Sequence, residues 1–238
     1  MKEYLTKLAE EFMISFRHNF IADDRWQYLT KGLMVTLQIT FFAAIIGIIL
    51  GFVIAVIRTT YEKTKKLKVL NAICKIYITI IRGTPVVLQL LIIYYVVFAT
   101  VAVDKVLAAV VAFGLNSAAY VAEIVRSGIM SVDPGQMEAG RSLGFTYGKT
   151  MWHIVLPQAF KNILPALGNE FIVLLKETSV SGYIALADLT KGGEYIRSRT
   201  YDAFMPLIAV ALIYLGIVMF LTYLVNKLER RLSKSDRG

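Results

Sequence analysis

The octapeptide LGFTYGKT at 143–150 is the stretch most similar to a catalytic motif, because it ends in the Gly-Lys-Thr of a phosphate-binding loop. Such a loop has the form G-x-x-x-x-G-K-[ST]: its backbone N–H groups surround the phosphates while the lysine reaches the outermost one. Here Leu143 occupies the first glycine position, and only three residues separate Gly144 from Gly148. The preceding residues are polar and helix-prone instead of forming a buried strand. We therefore predict that the octapeptide binds no nucleotide.

A second group of chemically active side chains lies within apolar segments, where a charge at the centre of a bilayer costs at least ~3 kcal/mol. Glu170 and Glu177 are seven residues apart and share one helical face, whereas Asn169 and Lys176 form another polar line. Each residue either lines a polar path or pairs with a neighbour to fix helix packing. For the set as a whole we predict a substrate path, formed by Asn116, Tyr120, Asn169, Glu170, Lys176, Glu177 and Gln89.

Few residues could act in catalysis or hold a metal. The only two histidines, His18 and His153, are far apart in sequence, and no set of residues has metal-ligand spacing. Cys74 is the single cysteine, which excludes an intrachain disulfide. We expect no catalytic residue, no metal and no cofactor, so a membrane enzyme is the least favoured class.

The composition indicates an integral membrane protein. Of the 238 residues, 57% are hydrophobic and 18% are charged, whereas soluble domains carry about 25% charged residues. The net charge of +9 is spread between apolar runs instead of forming one basic surface, so we expect no nucleic-acid partner.

Apolar runs of about 20 residues predict transmembrane helices. We expect one all-helical membrane domain that crosses the bilayer five times. Residues 66–82 carry one polar stripe, which fits a helix on the interface or the first half of a kinked second crossing. Residues 1–30 predict an amphipathic helix, either on the membrane surface or packed on the protein. The predicted crossings are 32–57, 83–103, 106–122, 163–184 and 203–225.

The distribution of basic residues predicts the orientation of the chain. Residues 58–68 contain five basic residues and one acid, and residues 226–238 contain five and two. The N-terminal segment balances five with five. Because cytoplasmic loops are rich in Lys and Arg, we expect the N-terminus outside and the C-terminus in the cytoplasm.

The loop at 126–161 is then cytoplasmic and contains two predicted helices. Asp133 is expected to cap the first, with Gln136 completing a capping box. Gly144 is expected to end it, and a second helix should begin near Thr146. Small residues within the first helix would let another surface approach closely.

This loop resembles a known family. Glu138-Ala139-Gly140, then Gly144, then Ile154-x-Leu156-Pro157 match the spacing of the EAA signature of permease subunits of bacterial ABC importers, with Gly140 in place of the second alanine. The stretches IRGTPVVLQL (81–90), AAYVAEIVRSGI (118–129) and LGNEFIVLLKETSV (167–180) resemble the polar amino acid branch of those permeases.

The resemblance implies a type I ABC importer fold: five transmembrane helices in a permease domain at 31–230, an EAA loop at about 127–162 and a cytoplasmic tail at 231–238. It also implies residence in the bacterial cell membrane and a protein that hydrolyses nothing itself. The expected partners are an ABC ATPase subunit dimer, a second permease subunit of the same or a related kind, and an extracytoplasmic substrate-binding protein. The residues expected to couple to the ATPase are Glu138, Ala139, Gly140, Arg141 and Gly144.

One alternative function from another class is an ion-driven secondary transporter, which the carboxylates within the membrane would suit. The absence of an inverted sequence repeat argues against it. The substrate is expected to be a polar or charged amino acid. Glu170 and Glu177 suggest a cationic one, whereas Lys176 could equally pair with an acidic or neutral one.

Overall fold

Two long helices, α2 (Trp26–Thr64) and α5 (Lys105–Met130), pack side by side at the centre of the protein. This computed structural model describes residues 2–234; Met1 and residues 235–238 of the predicted tail lie outside the described residues. Every described element is a helix, which confirms the all-α prediction. The other α-helices are α1 (Lys2–Phe16), α3 (Lys68–Gly83), α4 (Val86–Ile92), α6 (Pro134–Ser142), α7 (Tyr147–Thr150), α8 (Leu156–Glu177), α9 (Leu189–Thr200) and α10 (Phe204–Lys234).

Glycines let the two central helices approach closely. A Cβ atom on Gly51 of α2 would lie 2.5 Å from Val121 Cγ1 and 3.0 Å from the carbonyl oxygen of Ala118, both on α5. In the opposite direction, a Cβ on Gly114 of α5 would lie 2.8 Å from Ile46 Cγ2. Small residues are the usual means by which membrane helices pack at short distance. The close approach of α2 and α5 therefore depends on Gly51 and Gly114 having no side chain.

A sharp bend separates α3 from α4 at Thr84 and Pro85. Proline lacks a backbone N–H and drives the preceding residue into the extended region; Thr84 accordingly has φ −123° and ψ 149°. The two helices are bent by 111° from one another. After α4 the chain continues as a π-helical segment, Ile93–Val97.

This bend corrects the predicted second crossing at 83–103. The helix that follows the bend ends at Val97, and at 1.5 Å per residue its length is only about 18 Å. It is too short to cross a hydrocarbon core of about 30 Å. Together, α3 and the α4 segment are long and apolar enough to form one broken span or a re-entrant loop. The sequence did not reveal the size of the bend.

Within residues 2–234, three helices are long and apolar enough to span a membrane alone, namely α2, α5 and α10, and the bent pair makes a possible fourth. Helix α8 has 22 residues but contains four charged ones, so a crossing by this segment stays a prediction. Its α-helical part ends at Glu177, and the rest of the predicted crossing is a 3-10 helix, Thr178–Ile184.

The two ends of α2 contact different parts of the chain. Near its N-terminus, Leu29 packs with Leu189 of α9, and Thr36 Oγ1 accepts a hydrogen bond of 3.1 Å from the Leu189 N–H. Near its C-terminus, Ala55 packs with Val155, which directly precedes α8. Helix α9 and the loop between α5 and α8 therefore lie at opposite ends of the bundle.

Helix α1 leaves its apolar side chains uncovered. Leu5, Leu8 and Phe12 are 58%, 53% and 57% exposed. Beyond α1, the Asn19 amide donates a hydrogen bond of 2.7 Å to the Asp202 carboxylate, which ties this segment to the start of α10. One of the two alternatives for residues 1–30 was a helix packed on the protein. The structure does not show such packing of Leu5, Leu8 and Phe12.

The α2–α5 contact generates a first prediction, which compares two glycine-to-alanine variants. Gly51→Ala should lower the free energy of unfolding by about 1–3 kcal/mol, because its methyl group would overlap Val121. Gly216 of α10 has no atom within 4 Å of an added Cβ, so Gly216→Ala should leave stability unchanged or raise it by up to ~1 kcal/mol through helix propensity. Thermal unfolding in detergent would measure both variants. Equal midpoints would contradict the proposed dependence on close packing.

Candidate functional site

The loop between α5 and α8 starts with a capped helix that ends in a glycine turn. Asp133 Oδ1 accepts a hydrogen bond of 2.7 Å from the backbone N–H two residues ahead, as expected for the cap of α6. At the far end, the Gly144 N–H donates to the Arg141 carbonyl at 3.0 Å. The Phe145 N–H donates to the Gly140 carbonyl at 3.2 Å, which completes a Schellman motif. Gly144 has φ +86°, a conformation that glycine adopts without steric cost, so the predicted helix end is confirmed.

The capping box that we predicted at the start of α6 does not form as expected. The Oε1 atom of Gln136 instead accepts a hydrogen bond of 3.2 Å from Gln158 of α8. Gln136 therefore ties α6 to α8, a long-range contact that local spacing along the sequence does not reveal.

The Gly-Lys-Thr triplet lies inside the short helix α7 instead of in a loop. Thr146 caps this helix by accepting from the Lys149 N–H at 3.4 Å. Thr150 is completely buried, and its hydroxyl donates to the Thr146 carbonyl at 3.1 Å. In a phosphate-binding loop this hydroxyl would face a metal ion. Here it is engaged in its own helix.

Gly140 packs α6 against the following turns of the same loop. An added Cβ would lie 2.5 Å from Thr150 Cγ2 and 2.9 Å from Ile154 Cδ1. We had expected this glycine to allow close approach of another surface, but its neighbours belong to this chain. This contact explains glycine where the EAA signature has alanine. The exposed members of the predicted coupling set are Glu138, Ala139, Arg141 and Gly144.

A cavity of about 430 Å³, with polar and charged side chains among its lining residues, lies between the end of α3, α5 and α8. Its volume falls within the range of small-molecule sites, about 300–1,000 Å³. The cavity is continuous along α5 and α8 toward the loop, because Ser131 and Asn162 belong to its lining and bond to each other at 2.9 Å. The other polar lining residues are Arg82, Tyr120, Glu123, Ser127 and Glu170.

Opposite charges face this cavity. Glu170 Oε1 accepts a hydrogen bond of 2.9 Å from Ser117 Oγ, which orients the carboxylate. The Arg82 guanidinium lies 5.3 Å from the centre of the Tyr120 ring, a cation–π distance. The cavity lining thus contains one cationic side chain, Arg82, and two carboxylates, Glu123 and Glu170.

Ion pairs hold Glu123, which belongs to the cavity lining. Glu123 of α5 contacts Arg58 of α2 and pairs with Arg126 at 2.9 Å. Arg126 also lies 3.8 Å from Glu62. Because these side chains are only partly exposed, the pairs are less screened than surface ones. They connect α5 to α2 in the last two turns of α5.

The structure brings together only part of the predicted path. Tyr120 and Glu170 line the cavity, and Glu177 is half-buried two turns further along α8. Asn169 and Lys176 are exposed on other faces of α8. Gln89 and Asn116 are buried and bond to each other at 2.9 Å.

Sequence reasoning missed Arg82 and Asn162 as lining residues. Arg82 stands at the end of the polar stripe at 66–82, which was a detectable signal. The polar stripe did not reveal the bend after α3, which turns Arg82 toward α5. Asn162 was read as part of the loop, although it already belongs to α8.

The chain is similar to known proteins in sequence and in fold. The sequence matches the family described as "Binding-protein-dependent transport system inner membrane component" over residues 47–234. The chain belongs to the ABC transporter permeases of the polar amino acid family. It is therefore a multi-pass protein of the bacterial plasma membrane.

Individual relatives of this permease match along most of its length. The arginine transport system permease protein ArtQ of Bacillus subtilis (strain 168) is 42% identical over 211 residues, covering 88% of this chain and 94% of ArtQ. The L-cystine transport system permease protein TcyB of the same strain is 38% identical over 218 residues, covering 91% of each. A solved structure described as an amino acid ABC transporter with histidines superposes with a TM-score of 0.80 at 43% identity, covering 89% of this chain and 98% of that one.

The packing of Gly140 generates a second prediction. Gly140→Val should separate α6 from Thr150 and Ile154, because overpacking costs about 1–3 kcal/mol. The fraction of molecules in which α6 has separated from Thr150 and Ile154 should then rise roughly tenfold, because 1.4 kcal/mol corresponds to a factor of ten. Tryptic cleavage within the loop, at Arg141 or Lys149, would report this opening.

Gly148→Val is the matched control for this variant, since no atom lies within 4 Å of a Cβ added at Gly148. The two variants should differ clearly in cleavage rate. Equal rates would mean that Gly140 does not hold the loop closed.

Proposed function

We propose that this permease forms the translocation path of an ATP-driven importer of polar amino acids and is coupled to a separate ATPase through α6. The observation that carries the proposal is the direct connection of the loop to α5 at one end and to α8 at the other. Its helix α6 follows α5 after three residues, and its last turn continues directly into α8. Both α5 and α8 line the cavity, so a displacement of the loop would move two walls of the path.

The exposed residues of α6 support ATPase docking. Glu138 and Arg141 present charges of both signs, and Leu143 and Trp152 of the same loop are 77% and 70% exposed. An exposed apolar patch with a polar rim is typical of a protein interface. ATP binding and hydrolysis would occur in the partner, whose closure would favour one access state. The loop must bind the partner differently in the two states, because equal binding shifts nothing.

The charges of the cavity support an amino acid as substrate. A zwitterion carries a carboxylate, which Arg82 could bind, and an ammonium group, which Glu170 could bind. The names of the relatives, arginine and L-cystine permeases, agree with polar amino acids. In this proposal Tyr120 and Glu170 line the path directly, and Glu177 continues it toward α9.

A second permease subunit, of the same or a related kind, is proposed to complete the path. Arg82, Asn169 and Lys176 are exposed in the single chain, although charged groups at membrane depth usually face a cavity or a partner. A facing subunit would cover them. Two ATPase subunits and an extracytoplasmic binding protein would complete the assembly.

The orientation follows from the basic loop at 58–68, which the positive-inside rule places in the cytoplasm. This puts the coupling loop on the cytoplasmic side, since it lies at the same end of α2, and α9 on the outside. We propose that α1 lies on the outer membrane surface with Leu5, Leu8 and Phe12 in the lipid.

The mode of energisation can be tested in vesicles that contain the purified complex and its binding protein. We expect amino acid uptake that requires ATP and persists when ionophores abolish ion gradients. Uptake that needs an ion gradient and no ATP would instead establish the alternative, a secondary transporter. Mass spectrometry of the tagged complex would identify the ATPase and any second permease.

A third prediction concerns Glu170. Glu170→Gln should lower transport roughly tenfold, because a hydrogen bond to a charged group contributes about 1.5–3 kcal/mol, while assembly with the ATPase should survive. Uptake rate per assembled complex is the measurement. Glu10→Gln on the exposed α1 is the control and should transport normally. Normal uptake by Glu170→Gln would exclude this carboxylate from the path.

A fourth prediction concerns docking. The double charge reversal Glu138→Lys with Arg141→Glu should abolish co-purification of the ATPase, because like charges would then meet across the interface. Glu10→Lys should not affect it. Retained binding and retained substrate-stimulated ATP hydrolysis would show that α6 is not the coupling element.

A further inference from the structure

The break between α3 and α4 leaves backbone carbonyls without helical partners. A helix end normally has several orphan carbonyls, and the hydrocarbon core offers no water to satisfy them. Two side chains take this role here. Thr84 Oγ1 donates to the Ile80 carbonyl at 2.8 Å, and Gln89, one turn into α4, reaches back across the break.

The Gln89 amide bridges both sides of the bend. Its Nε2 donates to the Ile81 carbonyl at 2.7 Å, to Thr84 Oγ1 at 2.9 Å and to the Thr84 carbonyl at 3.1 Å, so one proton is shared. Ile81 belongs to α3 and Gln89 to α4. Straightening the bend would move these groups apart and break the bonds.

The same amide is fixed to the central helix. Gln89 Oε1 accepts a hydrogen bond of 2.9 Å from Asn116 Nδ2 of α5. Gln89 is 7% and Asn116 2% exposed, so water does not compete for these bonds. The bend is thereby tied to the α5 turn that precedes Tyr120.

We propose that Gln89 is a positioning residue: it clamps the α3–α4 bend and thereby holds Arg82 over Tyr120 at the cavity. Gln89 does not belong to the cavity lining, and its donors are occupied by the Ile81 and Thr84 carbonyls and the Thr84 hydroxyl, so it acts through Arg82. The inference rests on the proposed function, in which Arg82 binds substrate.

A double-mutant cycle tests the transport part of the proposal. Gln89→Met keeps the length of the side chain but removes its donors, and uptake per assembled complex should fall roughly tenfold, as expected when about 1.4 kcal/mol of positioning is lost. In an Arg82→Ala background the same change should have little further effect, because non-additivity marks residues that act together. Leu88→Met, at an exposed position of the same helix, is the control.

The bend itself can be measured without transport. Spin labels at Ile73→Cys on α3 and Val96→Cys after α4, in a Cys74→Ser background, occupy two exposed positions. With arms of roughly 16 and 18 Å and a bend of 111°, the labels should be about 19 Å apart, and about 34 Å if the segment were straight. Gln89→Met should broaden the distribution toward longer distances.

The outcomes separate the two proposals. Unchanged distances in Gln89→Met, or additive effects in the cycle, would overturn the positioning role. A wild-type complex without ATP-driven uptake would overturn the proposed function, while the spin-label distances would still decide whether Gln89 holds the bend.

Discussion

The other elements of the protein depend on the close packing of α2 against α5. This contact fixes the position of α5, which forms one wall of the cavity, relative to the elements packed at each end of α2. Membrane helices gain little from the hydrophobic effect when they associate, so van der Waals contact and interhelical polar bonds must stabilise the pair. Gly51 and Gly114 provide the contact along its middle, and the Arg58–Glu123 ion pair closes one end. Helix α9, the bent α3–α4 pair and α8 are all arranged round these two helices.

This arrangement has a direct mechanical consequence. The loop between α5 and α8 continues both helices, and contacts at Gly140 and the Schellman turn at Gly144 pack it against itself. In the proposed function, ATPase closure would therefore reach Glu123 and Glu170 through two helices.

Elements with local signals were predicted well from the sequence. The long apolar runs of α2 and α10 predicted helices, and Asp133 and Gly144 predicted both ends of α6, because caps and glycine turns depend on neighbouring backbone groups. Contacts between distant segments were missed. The bond from Gln158 to Gln136 and the bond from Asn116 to Gln89 join segments distant in sequence, and local spacing along the chain does not reveal them.

What the sequence determined by itself is the class of the protein: a helical membrane permease of the polar amino acid family, with an EAA loop whose helix ends are set by local chemistry. Only the tertiary structure decided which polar residues share a cavity. Helical spacing shows which side chains lie on one face of one helix, but not toward which neighbour that face turns. Arg82 reaches Tyr120 because the chain bends at Thr84 and Pro85. Gln89, which was assigned to the path as a polar residue within an apolar segment, donates hydrogen bonds across that bend.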